Sequence, residues 1–235
     1  MATQLHSRTH ANTFEYERPL LLQLLALEEL QQHERKQQFS EVLSALVSAL
    51  KAKDPQLYKH SYRVQHFTRH ITHTLHLPED EARTIKLAAL FHDIGKIGIQ
   101  DRILGKSSRL TKREFEKIKE HPLRGALILG QSELLNNVIP AVYCHHERWD
   151  GEGYPNGLQG ESIPFGARIV AIADAFEAMT SSQRSYQIPR SPLEALEELR
   201  RCAGTQFDPT LVDIFCLSLE ADLLTPLNTL GLMLR

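Results

Sequence analysis

The most informative stretch of this chain of 235 residues is Ile85-Lys86-Leu87-Ala88-Ala89-Leu90-Phe91-His92-Asp93. All of its first seven residues except Lys86 are apolar, which predicts a helix buried in a protein core. His92 and Asp93 close that helix, and Gly95 follows as a helix-ending residue. A charged carboxylate in such surroundings is costly unless it is paired or bound to a metal ion.

A second carboxylate, Asp174, lies in the equally apolar segment 169–176. No lysine or arginine stands on the neighbouring turns of that segment, which favours an ion as its partner. For either aspartate alone, a helix cap or an ion pair with a distant arginine is the simpler explanation. The histidines of the chain make a metal ion the better explanation for both aspartates.

Twelve histidines are more than an average domain of this size carries. His145 and His146 are adjacent at the end of a predicted helix, from where two neighbouring rings can reach one ion. His121 lies at a helix junction, and His60 lies near the start of another predicted helix. Imidazole combined with carboxylate is typical of iron, manganese, nickel or cobalt sites, whereas structural zinc sites usually contain cysteine.

Four further histidines, His66, His70, His73 and His76, recur at helical spacing on one predicted helix. Such spacing could hold a metal ion. Arginines and threonines surround these histidines, however, so we interpret them as a solvated or partly buried helix face.

The composition, 42% hydrophobic and 24% charged residues, is that of an ordinary globular protein. A formal net charge of −2 indicates no polyanion-binding surface, so we expect no DNA partner. The three cysteines form no C-x-x-C motif, and the polar N-terminus lacks the apolar stretch of a signal peptide. No apolar run is long enough to span a bilayer. We therefore predict a cytoplasmic protein without membrane insertion.

Apolar residues recur at intervals of three and four residues along most of the chain, and hardly any segment alternates apolar with polar residues. This pattern predicts an all-α fold. The predicted helices cover residues 19–52, 56–76, 78–92, 111–120, 122–130, 134–147, 165–181, 192–202 and 209–219. A glycine-rich loop is expected over 150–164. Residues 1–18 are expected to be disordered or weakly ordered. We divide the chain into 1–38, a tail with a linker or dimerisation helix, and a single domain over 39–235.

Taken in order, these residues resemble the HD-GYP domain, a branch of the HD phosphohydrolase superfamily. The resemblance covers about residues 40–217, and its most specific features are the His-His-Glu triplet at 145–147 and the Gly-Tyr-Pro at 153–155. The matching stretches are 60–64, 92–96, 121–125, 145–155, 163–169, 173–180 and 204–209.

The resemblance implies an HD-type helical bundle around a bimetal centre, preceded by an N-terminal helical extension. It implies a metal-dependent phosphodiesterase of bacterial second-messenger signalling, which hydrolyses cyclic di-GMP to pGpG and/or GMP by a metal-activated hydroxide. Two divalent transition-metal ions are implied, iron or manganese first and nickel or cobalt as alternatives. The implied ligands form two sets that share a bridging Asp93: His60, His92, Asp93 and Asp174, and Asp93, His121, His145 and His146.

The residues assigned to catalysis are Asp93 and Lys96. We assign Lys96 to substrate phosphate, although a favourable charge at a helix C-terminus is an alternative role. Tyr154 would offer its ring or hydroxyl to a guanine or phosphate, or would only pack the loop. Gly153 belongs to the same glycine-rich loop, which would form the edge of the substrate site. Arg184 is a second candidate for binding the substrate phosphate.

The chain departs from the family pattern at three places. Gln56 stands where some members carry a metal-binding glutamate, so we expect two ions and not three. Ser107 and Ser108 replace the usual Pro-Gly of a loop, and the segment 181–187 lacks the usual Asp, Pro and final Arg. Asp150 is expected to orient a histidine ligand.

Two alternatives stay open, and the altered 181–187 segment bears on the first of them. One is an HD phosphohydrolase acting on another cyclic dinucleotide or nucleotide, and the other is a non-catalytic binding or interaction module. The expected partners are cyclic di-GMP or a related dinucleotide, a second copy of the chain through the N-terminal helix, and a signalling protein.

Overall fold

The computed structural model describes residues 11–106, 108–182 and 188–224, and it describes side chains from residue 27 onward. The predicted all-α fold is confirmed, because every regular element in those ranges is helical. An isolated β-bridge joins Ala203 and Phe207. The chain forms two compact units, Met1–Ser48 and Ala49–Arg235. Within the described ranges, no helix combines the length and apolar character needed to cross a membrane.

The described α-helices are α1 (Ala11–Lys53), α2 (Pro55–Thr74), α3 (Glu79–Phe91), α4 (Asp101–Leu104), α5 (Lys112–Ile118), α6 (His121–Leu129), α7 (Ile139–Cys144), α8 (Phe165–Thr180), α9 (Pro192–Arg201) and α10 (Pro209–Leu224). Short 3-10 helices cover Ile94–Gly98, Glu133–Leu135 and Gly160–Ser162.

Helix α1 begins earlier than the sequence predicted. The expectation of weak order is wrong for residues 11–18, which are helical, and residues 1–10 lie outside the described residues. Leu27 and Leu30 of α1 are 55% and 56% exposed. The boundary between 38 and 39 stays a prediction.

Helix starts follow local capping chemistry. The Asp54 carboxylate accepts hydrogen bonds from the backbone N–H groups of Gln56 and Leu57, and Pro55 occupies the first helical position of α2. Thr111 forms a capping box at the start of α5, where the sequence predicted a helix over 111–120. Ser191 forms a second capping box at the start of α9.

The core of the second unit lies where α8 packs against its neighbours. Phe176 of α8 contacts Phe67 of α2 and Phe215 of α10 edge to face, with ring centroids 4.8 and 5.2 Å apart. Burial of each such apolar side chain stabilises the fold by about 1.5–3 kcal/mol. With one face of α8 fixed in this core, Asp174 and Glu177 of the same helix are held toward α2.

The predicted helix 134–147 is wrong. The chain instead forms the 3-10 helix Glu133–Leu135 and the short helix α7, with Pro140 in the first turn of α7. Proline favours a helix start and cannot continue a preceding helix. His145 and His146 therefore lie just beyond the end of α7, as the metal interpretation requires.

A close backbone crossing joins the segment after Asp93 to α6. A β-carbon on Gly95 would lie 2.0 Å from the His121 carbonyl oxygen and 2.5 Å from the Gly125 backbone nitrogen. Only glycine fits at this crossing, which brings Asp93 beside His121.

Candidate metal centre

The structure brings all seven predicted metal ligands together. They come from five parts of the second unit, namely α2, the end of α3, the start of α6, the end of α7 and the middle of α8. Three overlapping groups of these side chains place their ligand atoms within 4.8 Å of one another. The first group is His60, His92 and Asp174, and the second is His121, His145 and His146. A third group, His92, Asp93 and His145, joins these two.

The first group is built around His60. Its Nε2 atom lies 3.3 Å from Nε2 of His92 and 3.1 Å from Oδ1 of Asp174. His92 is almost fully buried, and His60 and Asp174 are partly exposed. Two imidazoles and one carboxylate thus converge on one point.

The second group is built around His145. Nε2 of His121 lies 3.2 Å from Nε2 of His145, and the rings of His145 and His146 have centroids 4.1 Å apart. Asp93 connects the groups, since its Oδ2 lies 3.3 Å from His92 Nε2 and its Oδ1 lies 3.2 Å from His121 Nε2. Asp93 therefore lies between the two groups, where a bridging carboxylate would have to stand.

Hydrogen bonds on the outer ring nitrogens orient the imidazoles. Nδ1 of His92, His121 and His145 lies 2.6–2.7 Å from the carbonyl oxygens of Ala89, Ile118 and Val142. A carbonyl can only accept, so each Nδ1 must carry the proton. In the neutral ring, Nε2 is then a bare acceptor that points into the centre.

This arrangement fits bound cations. Bare acceptors of His121 and His145 face each other at 3.2 Å, a contact that is repulsive without a positive charge between them. Asp93 Oδ1 is buried and has no hydrogen-bond partner among the described residues. A buried polar atom without a partner is destabilising, and a divalent ion would satisfy it together with the facing nitrogens. The donor set of imidazole and carboxylate suits transition metals.

Burial keeps the second group neutral. It lowers the pKa of His121 to about 3 and that of His146 to about 4, and it moves the pKa of His145 well below its usual range. These rings are therefore unprotonated ligands at neutral pH. Although burial opposes charge on His60, hydrogen bonds with Asp174 and Glu177 raise the pKa of His60 to about 9.

Burial acts against ionisation of the two aspartates, but their cationic and imidazole neighbours outweigh it. Lys96 and then His92 hold the pKa of Asp93 well below its usual range. The hydrogen bond from His60, followed by electrostatic interaction with His92, lowers the pKa of Asp174. Both carboxylates are thus ionised at neutral pH and available to a cation.

A cavity of about 300 Å³ opens onto the centre. It is lined by ligands from both groups together with Lys96, Arg148 and Gln206. Lys96 Nζ lies 2.6 Å from Asp93 Oδ2, so the lysine predicted to bind phosphate lies beside the carboxylate predicted to bridge the two ions. Arg148 and Gln206 were not predicted from sequence as cavity residues.

The glycine-rich loop stands beside this cavity. The Tyr154 ring stacks on the His146 ring with centroids 4.8 Å apart, and the Tyr154 N–H donates to the His146 carbonyl. A β-carbon on Gly153 would lie 2.3 Å from the Arg148 backbone nitrogen, so close packing requires glycine here. The substrate roles of Tyr154 and Gly153 stay predictions, and Arg184 lies outside the described residues.

The candidate centre does not include His66, His70 or His73 of α2, nor His76, which lies beyond the end of that helix. His70 is buried and its Nδ1 lies 3.1 Å from Ser218 Oγ, whereas His66, His73 and His76 are exposed. None of the metal-capable groups among the described residues includes them.

Sequence reasoning missed Glu177 and misplaced Asp150. Nδ1 of His60 lies 2.5 Å from Glu177 Oε2, and Glu177 is only 2% exposed. The predicted histidine-orienting role of Asp150 is wrong, because its carboxylate accepts from Arg148 and from the Glu152 N–H. Gln56, where some family members carry a metal-binding glutamate, is exposed.

Comparison with protein families gives a match to the HD domain over residues 41–211. This range contains every side chain of the candidate centre. The resemblance found from the sequence motifs is thereby confirmed.

Two curated relatives are phosphodiesterases. A cyclic di-GMP phosphodiesterase of Thermotoga maritima is 40% identical over 185 residues, which are 78% of this chain and 50% of that protein. A 3′3′-cGAMP-specific phosphodiesterase 2 of Vibrio cholerae is 38% identical over 176 residues, which are 74% of this chain and 34% of that protein. The chain thus spans half or less of the length of these relatives.

Two solved structures share the fold. A V. cholerae cyclic GMP-AMP specific phosphodiesterase aligns with a TM-score of 0.59 at 21% identity, over 80% of this chain and 51% of that one. The HD domain of the L. monocytogenes phosphodiesterase PgpH, in complex with cyclic-di-AMP, aligns with a TM-score of 0.58 at 19% identity, over 81% and 98% of the two chains.

Proposed function

This chain belongs to the HD domain family, and from that premise we propose that it is a metal-dependent phosphodiesterase that hydrolyses cyclic di-GMP. The observation that carries the proposal is the convergence of seven ligands, with the unpartnered Asp93 Oδ1 among them, on a cavity beside a lysine. The curated relatives named cyclic di-GMP phosphodiesterases support this choice of substrate.

The proposal includes two divalent ions, iron or manganese, held by two ligand sets that share Asp93. His60, His92 and Asp174 would complete one set, and His121, His145 and His146 the other. When bound, such ions lower the pKa of water and neutralise charge on phosphate oxygens.

The residues of the chain supply orientation and charge around these ions. The Lys96 ammonium lines the cavity and would donate to a non-bridging phosphate oxygen of the substrate. Arg148 is held by the Asp150 carboxylate, which fixes its guanidinium at the cavity wall. Hydrolysis adds hydroxyl to phosphorus and a proton to the departing 3′ oxygen. A positive cavity wall stabilises the charge that develops on the phosphate.

The direct test incubates the manganese- or iron-loaded protein with cyclic di-GMP and follows the products by chromatography. We expect pGpG, GMP or both to accumulate in proportion to enzyme. Absence of turnover by a protein that carries two ions per chain would refute the proposal.

Asp93→Ala is the variant that tests the site. Because Asp93 is the carboxylate shared by the two sets, we expect loss of turnover and of metal retention, with a retained helical circular dichroism spectrum. Asp101→Ala is the control, since Asp101 is exposed and pairs with Lys53 outside the cavity. An Asp93→Ala protein with full activity would show that the site is elsewhere.

A second candidate substrate is another cyclic dinucleotide. The V. cholerae relative named for 3′3′-cGAMP favours it, because its identity to this chain is close to that of the T. maritima relative. A panel of cyclic di-GMP, 3′3′-cGAMP and cyclic di-AMP at equal concentration separates these substrates. A folded protein that resists metal loading and cleaves none of them would be a binding module.

Association beyond the active site stays a prediction. The exposed Leu27 and Leu30 of α1 support a homodimer through the N-terminal helix, which light scattering would detect. A signalling-protein partner is proposed from the resemblance, and a cytoplasmic location from the cysteine pattern and the polar N-terminus.

A further inference from the structure

Three of the candidate histidine ligands share a support that His60 does not have. His92, His121 and His145 each donate Nδ1–H to a carbonyl three residues earlier in the chain. Each of those carbonyls lies in the last turn of a helix. The last four carbonyls of a helix lack backbone partners, so they can accept from an imidazole.

His60 has no such carbonyl, because it lies inside α2, where the carbonyls are used by the helix itself. Its Nδ1 instead meets the buried carboxylate of Glu177 at 2.5 Å. The other oxygen of Glu177 accepts from Arg63 Nε at 2.6 Å, so both carboxylate oxygens are engaged.

The contact is built from two helix faces that oppose each other. His60 and Arg63 lie three residues apart on α2, and Asp174 and Glu177 lie three residues apart on α8, so each pair shares a face. His60 is thereby held at both ring nitrogens, by Glu177 at Nδ1 and by Asp174 at Nε2.

We propose that Glu177 is a positioning residue that makes the two metal positions unequal, with the ion at His60, His92 and Asp174 held more tightly than the ion at His121, His145 and His146. A carboxylate that accepts from Nδ1–H increases the electron density on Nε2 and fixes the ring orientation. A neutral carbonyl that accepts from Nδ1–H also fixes the ring orientation, but it adds less electron density to Nε2. The inference rests on the two-metal part of the proposed function and is independent of the substrate.

The Glu177→Gln variant removes the charge and keeps an amide oxygen that can accept from His60. We expect the affinity for one of the two ions to fall about 10- to 100-fold, which is typical for loss of such a partner. Glu177→Asp keeps the charge on a shorter side chain and is expected to restore part of that affinity. Asp208→Asn is the matched control, because Asp208 is a buried carboxylate paired with an arginine, Arg168, and contacts no metal ligand.

The measurement is metal content after dialysis against chelator-buffered Mn²⁺, followed by competition titration with the chelator, on proteins whose circular dichroism shows a native helical content. Wild type and Asp208→Asn should retain two ions per chain, and Glu177→Gln should retain one. Two ions in Glu177→Gln at wild-type affinity would overturn the inference. Equal losses in Glu177→Gln and Asp208→Asn would also overturn it, because they would indicate a general effect of buried charge. A wild type that binds two ions without turnover refutes the proposed function alone.

Discussion

Lys96 illustrates how a single charge can serve the proposed chemistry. Its ammonium lies 2.6 Å from the Asp93 carboxylate and lines the cavity, where a substrate phosphate would compete for it. We expect Lys96→Ala to lower kcat/KM about 100-fold, the usual consequence of removing one donor that stabilises a transition state. Lys53→Ala is the control, because Lys53 pairs with Asp101 and does not line the cavity. Steady-state kinetics on metal-saturated proteins would give the ratio, and an unchanged ratio would leave Lys96 with a structural role only.

Residue chemistry explains why the two aspartates were singled out and Glu177 was not. Asp93 and Asp174 stand in apolar segments, where an ionised side chain demands a partner, and the family resemblance then implied that this partner is a metal ion. Glu177 also follows an apolar run, but its partner His60 is 117 residues away along the chain. The direction of the Nδ1 contact depends on how α2 packs against α8, which no local pattern records.

At the scale of elements, the glycine-rich loop is held by backbone packing that leaves no space for a side chain. A β-carbon on Gly153 would collide with the backbone of Glu147 and Arg148, at 2.3–2.7 Å. We expect Gly153→Ala to destabilise the protein by about 1–3 kcal/mol and to displace Tyr154 from the His146 ring. Gly105→Ala is the control, because its β-carbon would meet only one atom, at 3.2 Å. Chemical denaturation measures the free energy of unfolding, and equal values for both variants would contradict the packing argument.

The interface between α2 and α10 contains a histidine that should make stability depend on pH. Burial lowers the pKa of His70, while Asp222 opposes the shift and His66 and Arg69 add to it. The folded protein therefore binds fewer protons at His70 than the unfolded chain does. Its contribution to stability is complete above the unfolded value of about 6.5 and is lost as the pH falls through the lower folded value.

We therefore expect His70→Leu to show a weaker loss of stability between pH 7 and pH 5 than the wild type. The metal-ligand histidines are unchanged in both proteins, so the difference between their slopes isolates His70. His73→Gln, an exposed histidine on the same helix, should keep the wild-type slope. Urea denaturation across this pH range provides the comparison, and parallel slopes for wild type and His70→Leu would contradict it.

Helix boundaries show where the sequence pattern was sufficient. The helices predicted over 111–120 and 192–202 begin at or next to the observed starts of α5 and α9, where Thr111 and Ser191 form local capping boxes. The segment 134–147 was predicted as one helix since its apolar spacing is continuous. Pro140 instead begins the new helix α7 and leaves His145 and His146 beyond its end.

At the scale of the whole molecule, the candidate centre joins parts of the second unit that are distant in the chain. Its ligands come from positions 60 to 174 and from five helical segments. Bound ions would therefore act as a cross-link between α2, α3, α6, α7 and α8. An ion that binds only the folded chain stabilises it by about 2.7 kcal/mol per site when its concentration is 100 times Kd.

Removal of metal should consequently lower the melting temperature. For a chain of this size, 2.7 kcal/mol corresponds to a shift of about 5 to 10 °C, so we expect at least this difference between Mn²⁺-loaded and chelator-treated protein. Asp93→Ala should melt at the same temperature with and without Mn²⁺, because the shared carboxylate is missing. Differential scanning calorimetry of the four samples tests this expectation. If Mn²⁺-loaded and chelator-treated wild type melted at the same temperature, the facing imidazole nitrogens and the unpartnered Asp93 oxygen would be stabilised without an ion. That result would contradict the assignment of these residues as metal ligands.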